Sequence, residues 1–288
     1  MITKVLISFI VPFQNFEVLR GNMLKSFQES MNGIEVIFVH DSKIELNQDQ
    51  LRDLALPSKN GRYFCADFNS PGLARNKGLE EAKGEWIAFW DSDDFAYPSM
   101  IPELLLRGKP QILIANFCVI QGGDEKLKSR KNYRVCDAQI VANPGLWRFI
   151  FARKVIANCR FRSLKLGEDI LFLIESGALE RDITLAQETI YEYHISPLQS
   201  TNKGNMKLEP NMEQFITELV GVIKLNQPNS KLTYAIYWRQ ILSILKMSKG
   251  NRLFFCVIRT LSLIRSLNPQ RKIEFFKGLR LALRRGLV

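Results

Sequence analysis

A chain of 288 residues, 46% of them hydrophobic, can bury a sizeable core, which excludes a disordered or purely linking segment. Five scattered cysteines (Cys65, Cys118, Cys136, Cys159, Cys256) with no C-x-x-C pair exclude a disulfide framework or a thiolate zinc site, and predict reduced, mostly buried thiols. The net charge of +11 sits almost wholly in residues 246–288, where eleven cations face the single acid Glu274, so the basic balance belongs to the tail and not to the main body.

The first element predicted is a buried strand at 4–11, KVLISFIV, continuous in apolar and β-branched residues. The polar Gln14-Asn15 that follows, with no small-residue cleavage site, argues against a signal peptide and for a cytoplasmic chain. A helix is expected over 17–30, then a second strand, IEVIFV at 34–39, and a short third at 62–66. Short apolar runs alternating with helical stretches are the mark of a mostly parallel sheet with crossover helices, an α/β fold. Ser70-Pro71 supplies a helix start, and Gly84 stands where that helix would stop. WIAFW at 86–90 is the next buried strand, with Asp91-Ser92-Asp93-Asp94 just past its end. Beyond lie a helix at 98–107, a strand at 111–120, a turn or loop at 122–132, mixed structure over 143–178, a strand at 184–195, a polar loop at 197–211, and helices from Met212 onward. This division predicts a catalytic domain at 1–205 and a basic helical extension at 206–288.

The acidic run carries the sharpest chemistry. Carboxylates crowded at the mouth of a buried strand are costly unless something positive meets them, and ligands of open parallel sheets bind outside the carboxyl ends of strands. A hard divalent cation, Mn²⁺ or Mg²⁺, is the natural occupant, since it takes one or two carboxylates and completes its shell with water and phosphate oxygens. The alternative at this stage is a capping role for Asp93 or Asp94 at the helix near Pro98.

The segments IVPFQNFE at 10–17, VHDS at 39–42, GLARNKGL at 72–79, GEWIAFWDSDD at 84–94 and GEDILF at 167–172 together resemble the family 2 glycosyltransferases, inverting enzymes of the GT-A fold. The resemblance spans roughly residues 4–200. It implies transfer of a sugar from a nucleotide-diphospho-sugar, a UDP-sugar foremost, to a glycan or lipid-linked acceptor in surface polysaccharide or lipopolysaccharide synthesis. It further implies that Pro12, Phe13 and Asn15 line the nucleotide pocket, that Asp41 accepts from the base, and that Arg75 meets base or phosphates. Asp91, with Ser92 beside it, would lie near the ribose, and Asp93 with Asp91 would hold the metal. A carboxylate suits a uracil-type N–H and a guanidinium suits phosphate oxygens, so the physics agrees with these roles. Asp169 takes the place of the catalytic base, with Glu168 as its neighbour, and the alternative is a capping pair after Gly167. Tyr191-Glu192-Tyr193-His194, followed by Ser200-Thr201, resembles the closing strand and its loop over the donor, with His194 where relatives often carry arginine. Trp147, with Arg148, falls on the acceptor side, where a ring could stack on a sugar, though core packing is the commoner fate of tryptophan. The sequence departs from the family pattern at His40, which stands in place of an aspartate and reads as a strand-end packing residue.

Two rival readings are a non-catalytic nucleotide-sugar binder and a sugar nucleotidyltransferase; the latter would need a glycine-rich phosphate loop that PFQNFEVLRGN lacks. In the tail, LFFCVIRTLSLIRSL at 253–267 puts Phe254, Val257, Ile258, Leu261 and Ile264 on one helical face, and Arg259 and Arg265 interrupt any spanning segment. Three readings of 250–288 stay open: contact with the inner face of a membrane, packing on the catalytic domain, or a homodimer interface. No nucleic-acid partner is expected, because charge alone supports one.

Overall fold

The computed structural model describes residues 5–28, 32–54, 61–121, 129–134, 136–195, 208–247 and 251–283. They fall into two compact units, Met1–Val135 with Leu146–Ser163 and Ile183–Gly204, and Cys136–Gly145 with Leu164–Asp182 and Asn205–Val288. The second unit thus draws two segments from before residue 205 besides the C-terminal helices.

The first unit is built on a nine-stranded sheet: β1 Ile7–Phe13, β2 Ile34–Asp41, β3 Gly61–Ala66, β4 Trp86–Phe89, β5 Phe95–Ala96, β6 Ile112–Gln121, β7 Ser129–Tyr133, β8 Phe149–Ala152 and β9 Ile183–Ile195. Its order is β3-β2-β1-β4-β8-β6-β9-β5, with β7 on β6. β3, β2, β1 and β4 run parallel, as expected. Beyond β4 the sheet is mixed, because β8 runs against both β4 and β6 while β6 and β9 are parallel. In β1, Ile7, Phe9, Ile10 and Val11 are wholly inaccessible, which is what a central strand covered on both faces demands.

The helices of this unit are α1 Phe16–Gly21, α2 Gln48–Leu54, α3 Pro71–Glu81, α4 Ile101–Gly108 and, after α5 of the second unit (Asp137–Ala142), α6 Arg153–Ile156. The helix expected over 17–30 is two short pieces, α1 and a 3₁₀ turn at Met23–Phe27. Asn22 breaks it with non-helical dihedrals while its Nδ2 donates to the Val18 carbonyl at 3.0 Å. The turn expected at 122–132 is partly strand, since Ser129–Tyr133 forms β7 on β6; residues 122–128 lie outside the described residues. Of the thiols, Cys118 and Cys256 are buried, Cys65 and Cys159 half-buried and Cys136 exposed, so "mostly buried" holds for two of five.

α3 starts where Ser70 accepts from the Leu73 N–H at 3.4 Å and Pro71 occupies the first turn. It lies so close to the sheet that a Cβ on Gly78 would stand 2.3 Å from Ile10 Cγ2. Gly84 has a different role from the helix stop expected of it: the helix already ends at Glu81, and a Cβ at 84 would stand 2.5 Å from the Ser8 backbone nitrogen. Its N–H donates to Ser8 Oγ at 2.7 Å, and Ser8 in turn donates to the buried Glu35 carboxylate at 2.5 Å. The chain therefore passes against β1 at a place where only hydrogen fits.

The second unit contains α5, α7 Glu168–Glu175, α8 Leu208–Asn226, α9 Lys231–Met247, α10 Asn251–Ser266 and α11 Pro269–Ala282. Gly167 precedes α7 at φ +78°, and a Cβ there would also meet the Phe215 ring at 2.3 Å. Glu180 accepts from the Asn229 and Ser230 N–H groups and from the Thr233 hydroxyl at 2.6–2.8 Å, capping the start of α9. α9 and α11 pack through Trp238 on Phe275, ring centroids 4.9 Å apart.

Gly84→Ala is expected to destabilise the fold by about 1–3 kcal/mol through forced backbone movement, whereas Gly21→Ala, with nothing within 4 Å of its Cβ, is expected to be neutral. Denaturant midpoints of the two variants check this.

Candidate active site

β1 has β2 on one side and β4 on the other, so the strand order reverses there, and ligands of open sheets bind outside the carboxyl ends of the strands at such a point. The hydrogen-bonded register with β4 stops at Ile10, while that with β2 runs on to Phe13. Pro12, which lacks an N–H, is tolerated beyond that point.

At the end of β2, Asp41 ties three segments together. Its Oδ1 accepts from the Phe68 and Asn69 N–H groups at 2.7 and 2.9 Å, and its Oδ2 accepts from Gln14 Nε2 at 3.2 Å. His40, buried beside it, stacks on Phe13 with centroids 4.6 Å apart and planes 5° from parallel. One ring nitrogen lies 3.2 Å from the Tyr63 hydroxyl and the other 3.3 Å from the Gln14 carbonyl. Burial pushes the His40 pKa down, offset in part by the Gln14 carbonyl and the Asp41 charge. His40 is thus the packing residue expected. Phe13, expected to line the pocket, is 3% exposed, and its ring is a packing surface for His40. Asn15 is exposed and caps α1, its Oδ1 accepting from Glu17 and Val18 N–H at 2.9 and 3.3 Å.

Arg75 on α3 is no exposed helix cation. It is 8% exposed, donates from Nη2 to Asp91 Oδ1 at 2.9 Å and lies over the Phe161 ring at 5.7 Å. Asn76, next along the helix, fixes that ring by a reciprocal clamp, donating to the Phe161 carbonyl at 2.8 Å and accepting its N–H at 2.7 Å.

The acidic run is divided by its surroundings. Asp91, Ser92 and Asp93 are half-buried, whereas Asp94 is completely buried. Asp94 caps no helix: its Oδ2 accepts from the Tyr191 hydroxyl and its Oδ1 from the His194 N–H, both at 2.7 Å. The Tyr191 oxygen also accepts from the Asp91 N–H at 3.2 Å. Burial, reinforced by the charges of Asp91 and Asp93, pushes the Asp94 carboxyl well above the usual carboxylate range, and burial raises Tyr191 as well. This linkage between β9 and the end of β4 is the feature sequence reasoning missed, along with the Asn76 clamp; partners 97 and 100 residues apart leave no local signal.

Trp147, expected on the acceptor side, is core. It is 5% exposed and stacks on Tyr191 at 4.5 Å and Tyr193 at 5.7 Å. Arg148 is likewise buried, over the Phe117 ring at 4.7 Å. The His194 ring is 25% exposed, with Nε2 3.5 Å from Glu192 Oε2, and Glu192 Oε1 accepts from the Tyr97 hydroxyl at 2.5 Å. Glu168 and Asp169 open α7 in the second unit; Glu168 is buried, Asp169 half-buried with Oδ1 accepting from Ile170 N–H at 2.8 Å. Ser200-Thr201 lies outside the described residues.

Among the described residues no group of three or more His, Cys, Asp or Glu side chains forms a metal cage. With Asp94 engaged by Tyr191 and His194, the donor set at this turn is the pair Asp91 and Asp93. Two hard carboxylates at a half-open turn fit Mg²⁺ or Mn²⁺ that keeps water and takes phosphate oxygens, and do not fit a metal needing a full protein shell.

A family model described as glycosyl transferase family 2 matches residues 8–181. EpsH of Bacillus subtilis (strain 168) is 32% identical over 210 residues, which make up 66% of this chain and 60% of that protein. The GalNAc(5)-diNAcBac-PP-undecaprenol beta-1,3-glucosyltransferase of Campylobacter jejuni subsp. jejuni serotype O:2 is 22% identical over 306 aligned residues, 96% of this chain and 98% of that one. In fold, the crystal structure of S. aureus TarS 1–349 in complex with UDP-GlcNAc matches with a TM-score of 0.69 at 16% identity, covering 96% of this chain and 89% of that chain. The likeness establishes the GT-A fold expected from the sequence.

His40 gives this site a pH signature. Its folded pKa lies below the 6.5 of the free side chain, so as pH falls the unfolded chain takes up the proton first. The stability it contributes is full above about pH 6.5 and is lost as pH falls through that value towards the folded pKa. Melting temperatures from neutral to mildly acidic pH should fall more steeply for the wild type than for His40→Gln, and parallel curves would contradict this.

Proposed function

The chain belongs to glycosyl transferase family 2, and on that footing we propose that it moves a sugar from a nucleotide-diphospho-sugar, a UDP-sugar foremost, to a glycan or lipid-linked acceptor with inversion at the anomeric carbon. The observation that supports this reading is the position of Asp41 at the carboxyl end of β2 and of Asp91, Ser92 and Asp93 just past that of β4, on either side of β1, with Arg75 bonded to Asp91. The bound UDP-GlcNAc of TarS supports the donor class. The name of the Campylobacter relative, which describes an undecaprenol diphosphate-linked glycan, supports the acceptor class and a place in surface-glycan assembly.

Each residue has a chemical task. Asp41, already organising the base-side loop through Oδ1, offers carboxylate lone pairs to a uracil-type N–H. Arg75 orients Asp91 towards the ribose and adds positive charge beside the phosphates. Ser92 belongs to the same turn, and Pro12 at the end of β1 with Asn15 at the start of α1 would line the nucleotide pocket. Mn²⁺ or Mg²⁺ would be held by Asp93 with Asp91, and when bound it supplies charge to offset that developing on the leaving diphosphate. Asp169, with Glu168 beside it, takes the acceptor proton as the hydroxyl attacks, a role worth roughly 10²–10⁴ in rate. Inversion needs one displacement and no covalent enzyme intermediate. His194 remains a candidate contact near the acidic turn through its backbone bond to Asp94.

Two substitutions test the reading. Asp93→Ala is expected to abolish the metal-dependent thermal shift given by UDP-sugars, and an unchanged shift would contradict the metal role. Asp169→Asn is expected to keep that shift while transfer falls roughly 10²–10⁴-fold; near-normal turnover, followed by release of UDP, would remove Asp169 from the base role.

A further inference from the structure

α10 has two apolar faces where a bundle helix needs one. Cys256, Thr260, Leu263 and Leu267 are buried on the side turned into the second unit. On the opposite side Phe254, Val257, Ile258 and Leu261, spaced i, i+3, i+4, i+7, are 70%, 43%, 46% and 48% exposed. α11 repeats the arrangement. Phe275, Gly278, Leu281 and Ala282 are buried, while Ile273, Phe276 and Leu283 are 57%, 48% and 57% exposed on an arc that also carries the exposed Lys277 and Arg280. Six of the thirteen exposed large apolar side chains among the described residues lie in these two helices and a seventh, Leu283, directly follows α11, so the exposure is a concentrated feature and not the ordinary scatter of a protein surface.

Charge selects the occupant. Residues 251–288 carry nine cations against Glu274 alone. A second copy of the same face would set these cations against one another, and interface cores are depleted in charge. A nucleic acid would meet the cations but leave the phenylalanines and leucines without a partner. An anionic bilayer surface satisfies both: apolar side chains enter the boundary between headgroups and acyl chains while Lys and Arg meet lipid phosphates. No helix of the described residues is long and apolar enough to cross a membrane, so the contact lies in the plane of the interface.

We propose that the exposed faces of α10 and α11 form a docking surface for an anionic lipid bilayer. The inference is independent of the transfer reaction, so its test needs no donor or acceptor. The full chain is sedimented with vesicles of phosphatidylcholine alone or mixed with phosphatidylglycerol. Binding only to the mixed vesicles, weakened by salt, is expected. Phe254→Ser combined with Leu261→Ser should abolish sedimentation, and Arg280→Glu should lower partitioning at least about fivefold, the worth of one cation at an anionic surface. Leu225→Ser, at an 82% exposed position on α8, should change nothing. All three variants should keep the wild-type melting temperature, because the altered side chains are exposed. Equal binding to both vesicle types, no binding to either, or loss through the charge variant but not the apolar one would overturn the proposal. So would tighter binding to duplex DNA, or a dimer in light scattering that the apolar substitutions dissolve, since each names a different occupant.

Discussion

Three carboxylates in four residues crowd the mouth of one strand, and the way Asp94 is drawn inward decides the geometry around it. Its side chain turns inward and accepts hydrogen bonds from the Tyr191 hydroxyl and the His194 N–H. Burial together with the neighbouring charges disfavours its ionised form. Tyr191 in turn accepts from the Asp91 N–H, so one phenol oxygen fixes both ends of the acidic turn. The ring is held by Trp147 and Trp90, with centroids 4.5 and 5.9 Å away. A buried tryptophan thereby bears on the acidic turn.

Asp91 is balanced by a different device. Arg75 reaches it from α3, a helix brought down on β1 by the hydrogen-only contact of Gly78 with Ile10. The guanidinium is steadied by the Phe161 ring, which Asn76 fastens through both backbone groups of Phe161. The run RNKG at 75–78 thus places an ion-pair partner, a clamp and a close-packing contact within one turn of helix. Asp93 is half-buried in the acidic turn. The same economy appears at β2, where Asp41 serves the loop with one oxygen and Gln14 with the other.

The second unit is organised by helix packing and by backbone positions with little room. Gly167 is left-handed against the Phe215 ring and Gly278 lies under Tyr234, so α7 with α8 and α11 with α9 approach at distances a side chain would forbid. α10 and α11 each bury one face within the unit, through Cys256, Thr260 and Leu263 and through Phe275, Gly278 and Leu281; the opposite faces keep their apolar residues exposed among cations. Burial within the unit accounts for one face of each of these helices, and the opposite faces are the docking surface we propose.

The parallel half of the sheet was legible in the sequence, because fully buried strands and amphipathic crossovers write their periods locally. The family was legible in five ordered segments. For Trp147 the sequence named two uses, a sugar-stacking ring and core packing, and burial against Tyr191 and Tyr193 makes it core; the cap made by Asn15, the packing of Phe13 on His40 and the ion pair of Arg75 with Asp91 came from the structure. Only the tertiary structure decided that Asp94 faces inward to Tyr191, that Asn76 clamps Phe161, that β7 pairs with β6, and that Gly84 passes against Ser8. Each depends on groups that meet across about 10 to 100 positions of chain, and nothing in a local pattern records which distant partner removes a buried group's cost.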